Sequence, residues 1–346
     1  MKNGCEATVL YGAMLSIVTA TPSVAFPATS TYQWRGHECA YVAAGEGPPV
    51  ILLHGFAGSA YNCWRSTVPA VAASGHRVYA LDLLGLGKSA QPSDATYSID
   101  TWREQVRDFC HEQLSGAPPV VIGHSFGSLV ALEVAREAQQ AGSPVRAVGM
   151  MNCGVGLNNK GALKVEEWRN AQQARGIATE EAAPAWQLAI FGAVLALVDL
   201  IFNQKWLLSA GLEKFATAEN VRGALAEAVY MNPDRVDDAL VDDYLSLAAD
   251  REAAVEVLRQ IYTNDSGPLP FPAAEALPES MPMLVVWGDK DNLAPSTGPV
   301  GKYLRARAGR VAATRFEELA NVGHVPQDDA PVATNAILEE WLGGLA

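Results

Sequence analysis

A serine lies at the centre of the segment Gly-His-Ser-Phe-Gly at 123–127, between an apolar run at 119–122 and a helix-like stretch at 128–141. This order predicts a strand, a sharp turn and a helix, with the serine at the turn. Such a turn strains the serine backbone and projects its hydroxyl into open space. The flanking glycines fit, because a Cβ at either position would collide with the neighbouring strand or helix. We therefore predict that Ser125 is a nucleophile.

A serine hydroxyl is a weak nucleophile near neutral pH, and it needs a general base, normally a histidine held by a carboxylate. His324 is the only histidine that follows Ser125 in the chain. The acid is expected after a late strand, and the apolar run at 283–287 is such a strand. Asp289 and Asp291 both follow it. We assign the acid to Asp291, because W-G-x-x-D is the familiar form of this loop, and we predict that Asp289 shapes the turn.

The negative oxygen of a tetrahedral intermediate needs hydrogen-bond donors. A buried strand predicted at 50–53 runs into His-Gly-Phe-Ala-Gly at 54–58, and a glycine-rich turn there can aim a backbone N–H at that oxygen. We predict that the oxyanion donors are the backbone N–H groups of Phe56 and Phe126. His54 is predicted to order its loop through hydrogen bonds, and His124 to pack locally without a chemical role.

Together these segments resemble the α/β-hydrolase superfamily, and the resemblance covers roughly residues 32–345. The segments that carry it are His-Gly-Phe at 54–56, Asp-Leu-Leu-Gly-Leu-Gly-Lys-Ser at 82–89, the serine segment, Trp-Gly-Asp-Lys-Asp at 287–291 and Gly-His at 323–324. The resemblance implies an α/β-hydrolase fold, with a mostly parallel sheet, helices on both faces and an inserted helical cap. It also implies a hydrolase that acts on ester bonds through a Ser-His-Asp triad.

Several stretches also resemble the chloroplast and cyanobacterial pheophytinase-like serine hydrolases. These stretches lie at 32–36, 151–154, 158–160 and 230–238. The narrower resemblance implies a bulky apolar ester as substrate, such as the phytyl ester of chlorophyll or pheophytin.

Epoxide hydrolases and haloalkane dehalogenases share the His-Gly-Phe turn and the 82–89 pattern, but they attack with an aspartate at the elbow. Ser125 in that place implies an acyl-enzyme formed from an ester, thioester or amide. Acyl transfer and carbon–carbon bond hydrolysis of a diketone use the same triad and stay open as alternatives. An inactive binding module is the non-enzymatic alternative, although it usually lacks a triad member or an elbow glycine, and this chain has them all.

The composition favours one large domain and excludes several function classes. With 346 residues, one domain with an insertion is expected. The chain carries 38 acidic and 25 basic residues, a net charge of −13, and has no basic patch, so nucleic-acid binding is not predicted. Five cysteines without C-x-x-C spacing and the lack of a phosphate-binding loop predict neither a metal nor a cofactor. The expected partner is a small apolar ester substrate.

The order of elements divides the chain into a core and an insertion. Strands that alternate with helices at 29–157 and 279–346 predict the two parts of the core, with a first strand at 32–43 and a helix capped by Asp100. The region 158–278 is rich in helix formers and has no strand signal, which predicts a helical cap that returns to the core through a proline-rich linker at 268–282.

The stretch 188–202 is the most apolar part of the cap. Its 15 residues include Asp199, so it falls short of the about 20 residues that span a bilayer. We interpret it as a helix buried between cap and core. The alternative is a lid that either faces the substrate or makes peripheral contact with a membrane, because large apolar surfaces often mark binding sites.

The first 28 residues have the composition of a targeting presequence. Lys2 precedes a mostly apolar stretch at 7–20, and small residues at 23 and 25 precede Phe26, which is typical of a cleavage site. The segment Ser-Val-Ala-Phe-Pro at 23–27 resembles the presequences of algae with secondary red plastids. We therefore predict a chloroplast location for the protein, with secretion as the alternative.

Overall fold

The computed structural model describes residues 26–176 and 183–345. Its centre is an eight-stranded sheet in the order β1-β2-β4-β3-β5-β6-β7-β8. The strands are β1 Thr29–Trp34, β2 His37–Ala44, β3 Pro49–Leu53, β4 Arg77–Leu81, β5 Val120–His124, β6 Ala147–Met151, β7 Met283–Gly288 and β8 Thr314–Leu319. Strand β2 pairs antiparallel with β1 and β4, and all other pairs are parallel. This mostly parallel sheet confirms the predicted fold class.

The helices fall into three groups along the chain. Those before the cap are α1 Ala60–Trp64, α2 Thr67–Ala73, α3 Ile99–Gln113 and α4 Phe126–Gln140. The cap helices are α5 Lys160–Ala174, α6 Ala185–Phe202, α7 Lys205–Phe215, α8 Ala218–Ala224, α9 Asp238–Ser246 and α10 Arg251–Thr263, with a π-helix at Leu225–Val229 and a 3-10 turn at Pro233–Arg235. The last group is α11 Pro270–Glu275, α12 Pro299–Ala308, α13 Pro326–Asp329 and α14 Pro331–Gly343.

The sheet is covered on both faces because its strands alternate fully buried apolar residues between two cores. In β3, Ile51 and Leu53 belong to the core beneath α3, α4, α11 and α12. Val50 and Leu52 point the other way, into the core beneath α1, α2 and α14. Side chains of a strand alternate between the two faces, so a continuous apolar run is what a doubly covered sheet requires.

Three local predictions differ from the structure. The strand predicted at 32–43 is a hairpin, because Arg35 and Gly36 both adopt positive φ, 51° and 83°, and reverse the chain. Helix α3 is capped by the side chain of Ser98, which accepts from Thr101 N, and Asp100 lies inside the first turn. The predicted linker at 268–282 contains α11, which is buried because Phe271 packs into the core.

The N-terminal boundary also differs from the prediction. The segment up to residue 25, which holds most of the predicted presequence, lies outside the described residues. Phe26, predicted to belong to the presequence, packs edge-to-face on Tyr61 with ring centroids 5.2 Å apart. The folded domain therefore includes residues 26–28 as well as β1.

The cap is fastened to the core through a buried carboxylate. Asp328 in α13 has a fully buried side chain and accepts hydrogen bonds from Arg65 in the core and from Tyr230 and Arg235 in the cap. Charged side chains are buried at low cost only when they are paired and hydrogen-bonded in this way. The contact fixes the cap beside the loop that precedes α13.

The apolar helix α6 is not buried between cap and core, which corrects the interpretation favoured from the sequence. Only Leu195 of its 18 residues is buried. By length and composition alone, α6 is the one helix of the described chain that meets the criteria for crossing a membrane. Its exposure follows from its place at the outer side of the cap, where its main contacts are with the cap helices α5, α7 and α10.

Candidate active site

Ser125 lies between β5 and α4 in a strained turn. Its φ of 54° is in the left-handed region, which non-glycine residues rarely adopt. A Cβ at Gly123 would lie 2.1 Å from Gly127 O, and a Cβ at Gly127 would lie 2.4 Å from His54 O. Both glycines are therefore required by close packing of backbone. The structure forms the predicted elbow with the serine at its tip.

Two further loops, after β7 and after β8, bring together the predicted carboxylate and histidine. His324 donates from Nδ1 to Oδ2 of Asp291 at 2.8 Å, and both side chains are buried. The other carboxylate oxygen of Asp291 accepts from the backbone N–H groups of Leu293 and Ala294 at 2.8 and 2.9 Å. These bonds hold the imidazole in the tautomer with its proton on Nδ1, which leaves Nε2 as the basic nitrogen.

The environment keeps Asp291 ionised. Burial alone would raise the pKa of its carboxyl, but hydrogen bonding and charge interaction with His324 outweigh burial, together with donors from Ala294 and Asn152. The net pKa of Asp291 is therefore below its usual value. An ionised partner stabilises the imidazolium that forms when a histidine takes a proton.

Asp289 does not contact the imidazole. Its carboxylate accepts from Asn321 N at 2.6 Å, at the start of the histidine loop. On the other side of that loop, His324 N donates to Val229 O in the cap at 2.8 Å. The loop that carries the histidine is thus held by the turn aspartate and by the cap.

The elbow and the histidine loop touch through His124, the residue before the serine. The Nε2–H of His124 donates to the backbone oxygen of His324 at 2.7 Å, and the two rings meet edge-to-face with centroids 4.9 Å apart. Burial, reinforced by the neighbouring His324, lowers the pKa of His124 to about 3, so it stays neutral. His124 therefore connects two loops as well as packing locally.

The hydroxyl of Ser125 makes no hydrogen bond to His324 in this structure, and it has no hydrogen-bond partner elsewhere in residues 26–176 and 183–345. Its backbone is fixed by Ser125 N donating to Met151 O at 2.9 Å. Hydrogen bonds between a nucleophile and its base are commonly long in free enzymes and tighten when substrate binds.

The predicted oxyanion donors have unpaired N–H groups. Neither Phe56 N nor Phe126 N has an acceptor within the described part of the chain. Phe126 begins α4, where helix geometry leaves the N–H free, and its ring stacks on Trp102 with centroids 4.8 Å apart. A Cβ at Gly55 would lie 2.8 Å from Ser125 Cβ, so the turn with Phe56 abuts the elbow.

His54 has the ordering role predicted for it. Its Nε2 accepts from Leu83 N at 3.0 Å and its Nδ1 donates to Gly55 O at 2.9 Å. Burial lowers the pKa of His54 to about 4, so the neutral ring persists at neutral pH. A histidine with both nitrogens occupied in this way fixes the turn and does not exchange protons with substrate.

An apolar cavity of about 740 Å³ lies between the cap and the Phe56 turn. Phe56 lines the cavity, and its ring packs edge-to-face on Tyr262 with centroids 5.9 Å apart. The remaining walls come mainly from α7, α9 and α10 and from core residues 85–91, and include Leu212, Leu245 and Val257. The described lining contains no Lys, Arg, Asp or Glu. Among residues 26–176 and 183–345, no group of three or more His, Cys, Asp or Glu residues is placed to hold a metal.

Asn152 is a site residue that the sequence analysis did not assign. It follows β6 with a φ of 44°, a conformation that Asn tolerates better than most residues. Its Nδ2 donates to Asp291 Oδ2 at 2.5 Å and to Gly323 O at 3.2 Å, and its Oδ1 accepts from Gly288 N at 3.1 Å. An Asn directly after a predicted buried strand was the available signal.

A family model described as alpha/beta hydrolase fold matches residues 48–331. The chain belongs to the alpha/beta hydrolase family. The match includes the elbow, the aspartate loop, the histidine loop and the whole cap of this α/β-hydrolase.

Similar proteins include hydrolases with different reactions. The 2-hydroxy-6-oxo-6-(2'-aminophenyl)hexa-2,4-dienoic acid hydrolase of Metapseudomonas resinovorans is 37% identical over 101 residues, which are 29% of this chain and 34% of that protein. Epoxide hydrolase B of Mycobacterium tuberculosis is 27% identical over 349 residues, covering 87% of this chain and 92% of the relative.

Among solved structures, the meta-cleavage product hydrolase CumD of Pseudomonas fluorescens IP01 superposes with a TM-score of 0.63 at 20% identity. The match covers 92% of this α/β-hydrolase and 98% of CumD, and it shows a shared fold. The chain matches about a third or less of the length of the first curated relatives, 34%, 20% and 36%. The relatives described are an epoxide hydrolase, a dienoic acid hydrolase and a meta-cleavage product hydrolase, so the pheophytinase-like resemblance remains a prediction.

Proposed function

We propose that this α/β-hydrolase is a serine esterase with the triad Ser125, His324 and Asp291. Ser125 Oγ attacks the ester carbonyl carbon while His324 Nε2 takes the hydroxyl proton. The N–H groups of Phe56 and Phe126 stabilise the negative oxygen, at about 3 kcal/mol for each donor. The carbon–oxygen bond then breaks and the alcohol leaves with the proton from His324. Water, deprotonated by His324, attacks the acyl-enzyme and releases the acid.

The observation that carries this proposal is the 2.8 Å bond from His324 to Asp291, with the strained Ser125 turn joined to the same histidine loop through His124. The residue at the elbow also decides between reaction classes. Ser125 forms an acyl-enzyme from a carboxylic ester, whereas epoxide opening by the resembling enzymes requires an aspartate there.

A fluorophosphonate probe tests the proposal directly, because an activated serine attacks its phosphorus, displaces fluoride and becomes phosphonylated. The wild type should be labelled once per chain, and the labelled peptide should contain Ser125. Ser125→Ala should abolish the labelling, and His324→Ala should slow it by about a thousandfold or more. Full labelling of Ser125→Ala would refute the proposal.

The cavity supports a bulky, apolar and uncharged ester as substrate. Its walls offer hydrocarbon and no charged group, and pockets of about 300–1,000 Å³ enclose most of a drug-sized ligand. Phe56 belongs both to the cavity and to the proposed oxyanion turn. An ester group at that turn would therefore extend its apolar chain into the cap.

Gly211 in α7 offers a way to test the use of this cavity. It lines the cavity, and a Cβ there would meet no atom within 4 Å. Gly211→Phe should lower turnover of long-chain p-nitrophenyl esters by about tenfold and leave turnover of the acetate ester unchanged. The new side chain would occupy the cavity and exclude a long acyl chain, whereas an acetyl group does not need that space. Gly211→Ala is the control and should behave as wild type. Equal loss for short and long chains would contradict the binding role.

The finer proposal is that the natural substrate is the phytyl ester of pheophytin or chlorophyll in a plastid. The resemblance to pheophytinase-like hydrolases and the composition of segment 1–28 support it. Purified protein incubated with either pigment should release phytol in the wild type and not in Ser125→Ala. Turnover of short esters while both pigments stay intact would reject this substrate but would still support the proposal that the protein is a serine esterase.

Carbon–carbon bond hydrolysis of a diketone is the second candidate, supported by the similarity to the Metapseudomonas resinovorans hydrolase. The substrate in that relative's name is an acid, whose carboxylate would need a cation that the described cavity lining lacks. We therefore place ester cleavage first. A vinylogous diketo acid that turns over faster than every ester tested would reverse this order.

A further inference from the structure

Helices α6 and α7 present a large apolar face to solvent. We define this apolar face by residues whose side chains are between 50% and 71% exposed, namely Trp186, Ile190, Val194, Leu197, Leu200 and Trp206. On α6 they recur every three or four positions, so they share one side of a helix about 27 Å long. Contiguous apolar surface of this extent is rare on soluble monomers and marks a binding site.

The packing of α6 shows that this helix does not cross a membrane, because its inner side is fixed to the rest of the cap and only its outer side is available for binding. The inner side of α6 contacts α5, α7 and α10, and Leu195 is buried there. Asp199, on the same inner side, pairs with Lys160 of α5 at 2.9 Å, and Phe202 stacks on Tyr262 of α10 with centroids 4.1 Å apart. Crossing a bilayer would break these contacts and bury an unpaired carboxylate.

Hydrocarbon fits the apolar face better than a protein does. A protein interface carries about one hydrogen bond per 100–200 Å². Gln187 and Asp199 are the only polar side chains in α6, and Asp199 is already paired on the inner side. Trp186 and Trp206 are 63% and 71% exposed on the apolar face, and Trp is enriched at membrane–water interfaces, where a helix that lies on the membrane surface would place both of them.

The charges around the face select the kind of lipid. Lys205 beside Trp206 pairs with Glu256, and Arg251 pairs with Glu213 of α7. Glu256 also pairs with Arg259, so each of these cations has a carboxylate partner, while Lys214 contacts the Phe215 ring, and the whole chain carries a net charge of −13. No electrostatic attraction to anionic lipid is expected, so an uncharged, zwitterionic surface is the matching partner.

The apolar face is continuous with the cavity. Ile201, Leu207 and Phe215 line the cavity, and all three are also exposed large apolar residues of α6 and α7. We infer that this face docks on a zwitterionic phospholipid surface and that apolar ester enters the cavity from the lipid. The docking stands by itself, whereas the delivery of ester rests on the proposed function.

Sedimentation with phosphatidylcholine vesicles tests the docking in the full chain. Val194→Gln combined with Leu197→Gln removes apolar area from the centre of the face and should weaken partitioning by about tenfold or more. The matched control is Met231→Gln with Val332→Gln, since both residues are exposed outside the face, and it should partition as wild type. Any contribution of segment 1–25 is common to all three proteins. Binding should persist at about 0.5 M salt, because it is apolar.

Three results would overturn the inference: equal partitioning of both double variants, no partitioning of wild type, or a wild-type dimer in solution that the Val194/Leu197 variant dissociates. The last would assign the face to a second copy of the chain. Hydrolysis of a soluble short ester should be unchanged in the Val194/Leu197 variant, while hydrolysis of an ester embedded in vesicles should fall about tenfold. Docking without any esterase activity would refute the proposed function alone.

Discussion

Asn152 donates a hydrogen bond to the same oxygen of Asp291 that accepts from His324, at 2.5 and 2.8 Å. The side chain of Asn152 thus sets where that carboxylate oxygen lies, and through it the direction of the imidazole. It also ties Gly288 and Gly323 together, which are the two backbones that carry the acid and the base. This one residue therefore joins three strand-end loops of the sheet.

Two substitutions of Asn152 should separate the contribution of its side-chain amide from the contribution of its backbone conformation. Asn152→Gly accepts the φ of 44° and removes the amide, and it should lower kcat by about 10- to 100-fold, the worth of a hydrogen bond to a charged group. Asn152→Asp keeps the size of the side chain but replaces a donor with a carboxylate, and it should cost more, because like charges oppose each other. Steady-state kinetics on p-nitrophenyl acetate give the comparison. Activity of Asn152→Asp above that of Asn152→Gly would contradict the positioning role.

Phe56 has two separable roles, one of its backbone and one of its ring. Phe56→Ala keeps the N–H proposed for the oxyanion and removes a ring that is 42% exposed at the edge of the cavity. We expect KM for a long-chain ester to rise about tenfold while kcat for the acetate ester stays within about twofold. Val332→Ala, exposed on α14, is the control. A collapse of kcat for both esters would show that the ring also holds the N–H in place.

The buried histidine His54 makes stability depend on pH. Burial lowers the pKa of His54 from 6.5 to about 4. Between pH 4 and pH 6.5 the unfolded chain therefore binds a proton at His54 that the folded chain does not bind. Its contribution is complete above pH about 6.5 and falls by about 1.4 kcal/mol per pH unit as the pH drops toward 4. Asp82 acts in the opposite direction, since burial raises its pKa to about 6.

The comparison of His54→Gln with wild type isolates this group. Chemical denaturation between pH 4 and pH 7 measures the slope of the unfolding free energy against pH. In the variant this slope should be smaller by about 1.4 kcal/mol per pH unit, which corresponds to one proton. Identical slopes for His54→Gln and wild type would mean that His54 is not buried in its neutral form.

The sequence predicted the fold and the geometry of most of the candidate site because these features have local signatures. Ser125 stands between two obligatory glycines, and His324 is the only histidine after it. The choice of Asp291 over Asp289 agrees with the hydrogen bond to His324, because a carboxylate three residues after the strand can reach across to the next loop.

What the sequence did not predict depends on tertiary contacts. The roles of Asn152 and His124 come from bonds to residues 139 and 200 positions away, which no local pattern encodes. Helix α6 is almost entirely apolar, a composition shared by buried helices and membrane-contacting helices, so only its exposed place on the outer side of the cap distinguishes the two. The hairpin of β1 and β2 was missed because Arg35 at positive φ is an uncommon turn residue.

The acyl-enzyme is the species on which the account depends. Rapid mixing with excess p-nitrophenyl acetate should release a burst of about one p-nitrophenolate per chain, and acid quenching should trap one acetyl group on the peptide that contains Ser125. Ser125→Ala should show neither the burst nor the adduct. An acetyl group trapped on any other residue, or wild-type turnover in Ser125→Ala, would contradict the assignment of Ser125 as the nucleophile.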